Sequence, residues 1–355
     1  MAIPYAKTIV GSLPWYSVLI VTGILLAVWL ASREEVRLGL PKDTSVDLAL
    51  VAVPCGIVGA RLYYVAMRWE VFAANPISIL YVWQGGLAIY GGVLGGALGL
   101  WVYTRHKKLS FATVADLIAP GLLLAQAIGR WGNYFNSEAY GPELLDARLQ
   151  FFPIGVLIPA ESGYVWHAAT FFYESIWNFC GFCFLWGIRR KQRERGNVFA
   201  WYGVIYGSGR FIIEQLRQDS LYLGPVRVSQ VVSLLLCAAA ALLLVRRVRP
   251  RAGLSLVCVV LWLARWACLE QHALYALLML MAGLGAIWQA RDQRGALGWL
   301  MAALLLDGAG LLMAVMSWPL SAEVALWLHT ALCSLTLPLG LMALTTETKG
   351  RHAYA

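Results

Sequence analysis

The chain has 355 residues, with 28 Lys or Arg and 19 Asp or Glu, so its formal net charge is +9. Hydrophobic residues make up 60% of the sequence and charged residues 13%, about half of the roughly 25% charged share of soluble domains. This composition excludes a disordered chain, a solvated repeat array and a cytosolic globular enzyme. It predicts a polytopic membrane protein.

Long apolar runs predict eleven membrane-spanning helices, because one span needs about 20 mostly apolar residues. In chain order they cover about 14–32, 45–67, 85–104, 111–132, 168–188, 198–215, 227–245, 253–269, 271–290, 296–316 and 322–345. Polar residues are frequent inside the spans before residue 250 and sparse after it. We therefore predict an all-α polytopic membrane protein. A seven-helix core at 1–250 carries a small external head at about 133–167, and 251–355 is an additional four-span block.

Clusters of Lys and Arg predict how the chain is oriented, since cytoplasmic loops carry an excess of these residues. Six clusters lie at 33–42, 105–108, 189–195, 246–251, 291–294 and 349–351. Each cluster follows an odd-numbered span, so the N-terminus is predicted outside and the C-terminus inside. The cations form short groups between apolar runs, and for this reason we expect no nucleic-acid partner.

Three arginines, Arg61, Arg130 and Arg210, lie inside or at the edge of predicted spans, near their outer ends. An arginine at the bilayer centre costs on the order of 2.5–3.5 kcal/mol, so it marks a partner or a cavity. In one interpretation the arginines only hold helices together through acids; the available acids are Glu174, Asp116, Glu138 and Glu214. In the other they form a phosphate-binding chamber for a phospholipid headgroup, because guanidinium groups grip phosphate bidentately.

Two further patterns accompany the arginines. Arg210, Glu214 and Arg217 are spaced to share one helix face. Glycines are dense around the start of the third span. A close helix crossing explains Gly92, Gly95, Gly96 and Gly99. The pair Gly85-Gly86 suggests instead a broken helix end or a re-entrant turn.

Metal and disulfide chemistry is not expected. The five histidines are scattered at positions 106, 167, 272, 329 and 352. The seven cysteines fall inside apolar runs, where a disulfide framework is improbable. We predict no metal and no cofactor.

The stretch from Gly129 to Gly141, GRWGNYFNSEAYG, resembles the signature G-R-x-G-N-F-x-N-x-E-x-x-G of the prolipoprotein diacylglyceryl transferase family. Further matches follow in the expected order: Trp15-Tyr16, the run GGLAIYGG, Tyr173-Glu174-Ser175, and the segment from Arg210 to Asp219. The resemblance covers about 10–246. It implies transfer of the diacylglyceryl group of phosphatidylglycerol to the lipobox cysteine of prolipoproteins, forming a thioether and releasing glycerol phosphate. It also implies a multi-pass protein of the bacterial inner or plasma membrane, with phosphatidylglycerol, prolipoprotein signal peptides and membrane lipids as partners.

The resemblance implies roles for particular residues. The expected catalytic residues are Arg130, Arg210, Tyr90, Tyr16 and Glu138. The expected phosphatidylglycerol-binding residues are Arg130, Asn133, Asn136, Gly141, Arg210, Glu214, Arg217 and Arg61. Arg130 and Arg210 are expected to hold the phosphate, and Asn133 and Asn136 to donate hydrogen bonds to it. Glu138, or Glu214 beside Arg217, is expected to orient the arginines. Tyr16 contacts the headgroup or the thiol, Gly141 allows a sharp turn into the head, and Arg61 supports the chamber from behind.

The sequence also departs from the family pattern. Tyr90 stands where the family often has a histidine that is favoured as general base. Either Tyr90 acts by hydrogen bonding, or the field of the arginines activates the thiol. His167 is displaced by one position, and predicted spans eight to eleven have no counterpart in the compact family core. Two alternatives stay open: a paralogue that uses another acceptor, and a non-catalytic phospholipid-binding or transport protein.

Overall fold

A computed structural model of the protein describes residues 7–9, 11, 13–161, 163–192, 194–218, 222–223 and 226–246. Within these residues the chain is mostly helical, with eight α-helices and two short antiparallel β-hairpins. Predicted spans eight to eleven, and with them the proposed block at 251–355, lie outside the described residues.

The helices are α1 (Trp15–Glu35), α2 (Thr44–Met67), α3 (Trp69–Ala73), α4 (Ile89–His106), α5 (Phe111–Asn136), α6 (Thr170–Ile188), α7 (Asn197–Leu216) and α8 (Val228–Arg246). The strands are β1 (Gly155–Ala160), β2 (Gly163–Ala168), β3 (Tyr222–Leu223) and β4 (Val226–Arg227). All the helices except the short α3 coincide with the first seven predicted spans. Among the described helices, α1, α2 and α5 are long and apolar enough to cross a membrane. A spanning role for α4, α6, α7 and α8 stays a prediction.

Helix α5 lies at the centre of the packing. It contacts α1, α6 and α7, while α2 packs along α4 and α7 along α8. Leu123 of α5, Leu185 of α6 and Val204 of α7 are fully buried where three of these helices meet. Asp116 of α5 also accepts hydrogen bonds from the backbone N–H groups of Gly196 (2.6 Å) and Phe199 (2.8 Å). This carboxylate satisfies orphan N–H groups at the start of α7 and so ties α7 to α5.

The glycines of the third predicted span were expected at a close helix crossing, and α4 makes this crossing with α2. A Cβ added to Gly95 would lie 2.3 Å from the Cys55 carbonyl oxygen, and one added to Gly99 would lie 2.9 Å from the Cys55 Cβ. At Gly92 and Gly96 the nearest atoms would be 3.6 and 3.8 Å away, which is ordinary contact. Only two of the four predicted glycines therefore lie at the closest approach, because residues four apart form one ridge of a helix.

Helix α4 begins later than the third predicted span. Between α3 and α4 the chain forms 3-10 turns at Pro76–Leu80 and Val82–Gln84. Gly85 and Gly86 follow with φ of 86° and 69°, backbone conformations that favour glycine. The broken helix end predicted from this pair is confirmed.

Charged contacts join helix termini at one end of the bundle. Arg189, just after α6, contacts Glu34 of α1 at 2.9 Å, and Lys107, just after α4, contacts Asp47 of α2 at 3.3 Å. The first three cation clusters, which follow α1, α4 and α6, therefore lie at the same end of the bundle.

The head differs from the all-α prediction because β1 and β2 pair as an antiparallel hairpin with Gly155 opposite Ala168. Val156 and Ile158 of β1 are buried against the end of α5 and the start of α6, and such alternating β-branched residues suit a half-buried strand. The head also begins later than predicted. Helix α5 continues to Asn136 and ends at Ser137, whose φ of 54° is left-handed.

Candidate active site

Arg130, Glu174 and Arg210 meet where α5, α6 and α7 pack together, at the opposite end of the bundle from the first three cation clusters. Arg130 Nη2 lies 2.8 Å from Glu174 Oε1, and Arg210 Nη1 lies 3.4 Å from Glu174 Oε2. Glu174 is only 3% exposed. One buried carboxylate is therefore shared by the two guanidinium groups that the sequence singled out.

A second carboxylate completes what we call the arginine–glutamate cluster: Arg130, Glu174, Arg210 and Glu214. Arg210 Nη2 lies 2.5 Å from Glu214 Oε2, one helical turn further along α7. Arg130 and Arg210 keep 21% and 15% of their side chains exposed, whereas Glu174 and Glu214 keep 4% and 1%. The cluster has no formal net charge, but its accessible side is the positive one.

Close contacts between the three helices hold the cluster in place. Ser175, next to Glu174, donates its hydroxyl to the Ala127 carbonyl of α5 at 2.8 Å. Trp177 donates its indole N–H to the Ile205 carbonyl of α7 at 2.8 Å. A Cβ on Gly209 would come within 2.2 Å of that indole nitrogen. The residue before Arg210 must therefore be small for α6 and α7 to approach this closely.

The signature residues after Arg130 form a hydrogen-bonded chain at the end of α5. Arg130 Nη1 donates to Asn133 Oδ1 at 3.4 Å. The amide groups of Asn133 and Asn136 both donate to Glu138 Oε1, at 2.9 and 3.2 Å. The left-handed Ser137 turns the chain so that Glu138 faces back onto the helix. Glu138 therefore reaches the arginines through Asn133, and the two asparagines donate to a carboxylate in this structure.

Gly141 is required by space and not by a turn, which corrects the expectation for this residue. A Cβ there would lie 2.9 Å from the Ala168 Cβ and 2.9 Å from Thr170 Cγ2. The left-handed residues of this segment are Ser137 and Ala139. The sharp turn into the head occurs at those two positions, and Gly141 lets the chain pass close to β2 and the start of α6.

Three tyrosines surround these residues. The ring of Tyr16 lies against the signature helix, since a Cβ on Gly132 would come 2.5 Å from Tyr16 Cδ2. The Tyr90 hydroxyl lies 3.3 Å from Ser229 Oγ at the start of α8. Tyr206 is within electrostatic reach of Tyr90 and of both arginines.

Tyr206, Arg227 and the central position of Glu174 were not predicted from the sequence. Tyr206 lies one turn before Arg210, a spacing that could have indicated a shared face, but a tyrosine in an apolar helix is usually a packing residue. Arg227 donates to the Glu214 carbonyl oxygen from β4, and nothing in its sequence context indicated this. Glu174 belongs to the matched Tyr-Glu-Ser element and was considered only as a helix-pairing acid.

Arg61 stands apart from the cluster. The N–H groups of Arg61 point at the carbonyl oxygens of Ser78, Ile79, Tyr81, Gly85 and Gly86, at 2.6–3.4 Å. An arginine has five N–H donors, so none is left for a phosphate in this arrangement. This differs from the expectation that Arg61 binds lipid. Arg217 is the first residue beyond α7, and its backbone N–H donates to the Glu214 carbonyl at 3.3 Å.

The cluster suits the stabilisation of a phosphate anion. Two fixed guanidinium groups at the edge of a water-poor helix bundle are preorganised donors, which stabilise developing negative charge far better than water does. Within the part of the chain that the structure describes, no three His, Cys, Asp or Glu side chains are grouped as a metal ion requires.

Comparison with known proteins adds an independent finding. The family model described as prolipoprotein diacylglyceryl transferase matches residues 4–246. A phosphatidylglycerol–prolipoprotein diacylglyceryl transferase of Enterococcus faecalis is 48% identical over 242 residues, covering 66% of this chain and 87% of the relative. Proteins of the same name from Bacillus cytotoxicus and Bacillus cereus are each 46% identical over 236 residues, with the same two coverages.

Proposed function

The chain belongs to the prolipoprotein diacylglyceryl transferase family, and from this premise we propose how its own residues carry out the reaction. It is a transferase that moves the diacylglyceryl group of phosphatidylglycerol to a prolipoprotein. The acceptor atom is the thiol sulfur of the lipobox cysteine in the signal peptide. The products are a thioether-linked prolipoprotein and glycerol phosphate.

The bond changes define what the site must do. The thiol, with an ordinary pKa of about 8.5, first loses its proton to water. The thiolate sulfur then attacks the glycerol carbon that carries the phosphate, and a carbon–sulfur bond forms as the carbon–oxygen bond breaks. The electron pair of the broken bond stays on the phosphate oxygen. The leaving glycerol phosphate therefore gains one negative charge, which the site must stabilise.

Arg130 and Arg210 stabilise that charge. The observation that carries this assignment is the asymmetry of the arginine–glutamate cluster, whose guanidinium groups are partly accessible while its carboxylates are buried. A phosphate approaching from the open side meets only the cations. Glu174 and Glu214 hold the guanidinium planes in place, and Asn133, positioned by Glu138, supports Arg130.

The tyrosines act by hydrogen bonding. Tyr90 orients the acceptor through its hydroxyl group, which lies 3.3 Å from Ser229 Oγ at the start of α8. The cationic field of Arg130 and Arg210 favours the thiolate form of the acceptor, as nearby cations do for reactive cysteines. Tyr16, which packs on the signature helix, contacts the lipid headgroup beside Asn136, Gly141 and Arg217.

The reaction takes place at the outer face of the bacterial plasma membrane. Three span-forming helices support a membrane location. The first three cation clusters lie at one end of the bundle and the arginine–glutamate cluster at the other, which supports an inner and an outer end under the positive-inside rule. The core at 1–250 performs the transfer, with the N-terminus outside and the C-terminus inside, and membrane lipids and signal peptides reach it from the bilayer.

Arginine substitution tests this assignment. Purified protein is mixed with phosphatidylglycerol and a lipobox peptide, and mass spectrometry follows the diacylglyceryl mass on the cysteine. Arg130→Ala and Arg210→Ala should each lower kcat by about 100- to 1,000-fold, the usual cost of removing one preorganised donor. Arg148→Ala is the matched control, because Arg148 is an exposed head residue paired with Asp146. Wild-type turnover in both site variants would refute the assignment.

A further inference from the structure

A groove of about 430 Å³ lies on the head, outside the cluster described above. We call it the head groove. It is bounded by the N-terminal segment, the end of α5 and the hairpin β1–β2, and its lining includes Lys7, Asn136, Ser137, Tyr140, Ile158 and Tyr164. Its volume is typical of ligand sites, which hold about 300–1,000 Å³. The assignments made so far leave most of its lining unexplained.

The head groove is connected to Arg130 by a short chain of hydrogen bonds. Asn136 lines the groove and donates to Glu138, which also accepts from Asn133, and Asn133 in turn accepts from Arg130. Asn136 lies six positions after Arg130 on α5, a rise along the helix axis of about 9 Å. An extended polypeptide covers that distance in about three residues.

The lining matches an extended polypeptide. Lys7, Ser137 and the two tyrosines all carry hydrogen-bond donors, which suit the carbonyl oxygens of a peptide backbone. The rings of Tyr140 and Tyr164 add the flat amphipathic surface that protein-recognition sites favour. Tyr164 is 56% exposed, so a bound chain can enter and leave along its side.

We propose that the head groove binds the segment of the prolipoprotein that begins about three residues after the acceptor cysteine. This inference rests on the proposed function. When the cysteine sulfur is at the arginine–glutamate cluster, the chain that follows it must leave towards the head. The groove lies at the C-terminal end of the signature helix, about 9 Å further along the helix axis than Arg130.

Charge sets a preference within the groove. Lys7 is the one cation among its described lining residues, and none of those residues is acidic. A peptide with Asp three residues after the cysteine therefore binds better than one with Lys there. Reversing the charge of Lys7 reverses the preference, because an exposed ion pair and an exposed like-charge pair differ by a small but measurable amount.

The test compares two lipobox peptides, identical except for Asp or Lys three residues after the cysteine, on full-length protein with phosphatidylglycerol. Wild type should have a kcat/KM about threefold higher for the Asp peptide, and Lys7→Glu should prefer the Lys peptide by a similar factor. Lys42→Glu, the same change at an exposed position in the first predicted cation cluster, should keep the wild-type preference. Equal preferences in wild type and Lys7→Glu would overturn the proposal.

A second variant removes an aromatic contact surface from the head groove and leaves the charge of Lys7 in place. Tyr164→Ala should raise KM about fivefold for peptides that extend beyond the cysteine and leave KM unchanged for a peptide that ends there, since one aromatic contact of about 1 kcal/mol is lost. Phe151→Ala, at an exposed head residue outside the groove lining, is the control. An altered KM for phosphatidylglycerol with an unchanged peptide KM would assign the groove to the lipid headgroup and overturn the proposal.

Binding separates this proposal from the proposed function. The affinity of a fluorescent Cys→Ser peptide, which has no thiol, is measured by anisotropy for wild type, Lys7→Glu and Tyr164→Ala. Tight binding that both variants weaken, without any transfer to the thiol peptide, would reject the transferase mechanism and retain the groove. Transfer at wild-type rates with binding unchanged in both variants would reject the groove and retain the mechanism.

Discussion

At the scale of single residues, Glu174 determines how the two arginines are presented. A buried carboxylate is costly unless it is paired, and Glu174 is paired with Arg130 and Arg210 at the same time. The shared carboxylate therefore holds the two positively charged guanidinium groups close together, although they repel each other.

Glu174→Gln keeps the shape of the side chain and removes its charge. Removing one partner of a buried ion pair costs about 3–5 kcal/mol, so the unfolding temperature should fall. Small misplacements of catalytic groups can cost about 100-fold in rate, so kcat should fall by that order. Both are measured on purified protein, with Glu143→Gln as the control at an exposed head acid. An unchanged kcat in folded Glu174→Gln protein contradicts the role given to Glu174.

Arg130 and Arg210 could be predicted from the sequence because charged residues are rare in apolar spans. Their shared partner, Glu174, could not be assigned from the sequence. Which acid pairs with which arginine depends on how α5, α6 and α7 rotate about their axes, and single-helix periodicity does not contain that information. Arg61 shows the same limit, since its partners are main-chain carbonyls that look alike in every sequence.

At the scale of elements, the close packing of α2 against α4 depends on glycines, which have no side chain. The closest approaches are at Gly91 and Gly95, where an added Cβ would lie 2.3 Å from the carbonyl oxygens of Gly59 and Cys55, respectively. Close packing of this kind is a main source of helix association where water is absent. The apolar run and its glycines predicted this crossing, whereas the hairpin β1–β2 escaped prediction because its strands are short and lie inside a polar segment.

Gly95→Ala and Gly96→Ala separate packing from helix propensity. Alanine is the better helix former at both positions, by about 1 kcal/mol. At Gly95 the new methyl group would meet backbone at 2.3 Å, while at Gly96 its nearest neighbour would be 3.8 Å away. Gly95→Ala should lower the unfolding temperature in detergent by several degrees, since overpacking costs about 1–3 kcal/mol. Gly96→Ala should leave it unchanged or raise it, and equal effects would disprove the close crossing.

At the scale of the whole molecule, two separate groups of charged side chains lie at opposite ends of the bundle. One end has the helix-terminal pairs Arg189–Glu34 and Lys107–Asp47. The other has the arginine–glutamate cluster and the head. The sequence predicted this division from cation spacing alone, because the rule acts on loops and needs no knowledge of helix packing.

Reporter fusions test the orientation. Alkaline phosphatase inserted at Glu161, in the turn between β1 and β2, should be active, because that enzyme folds only outside the cytoplasm. The same reporter inserted at Lys107 should be inactive, and a fluorescent protein placed there should fluoresce. The opposite pattern at both positions would invert the orientation proposed here and place the active site on the wrong side for exported prolipoproteins.

The arrangement around Arg61 has a consequence for how this protein can change over generations. One guanidinium group holds the backbone of residues 78–86 by its carbonyl oxygens, and every amino acid supplies that oxygen. Apart from Gly85 and Gly86, whose φ is positive, these hydrogen bonds place no requirement on the side chains of this segment. Lysine has three donors and no planar fork, so even Arg61→Lys would release the segment. We therefore expect substitutions to be tolerated better in this segment than at Arg61, the helix residue that holds it.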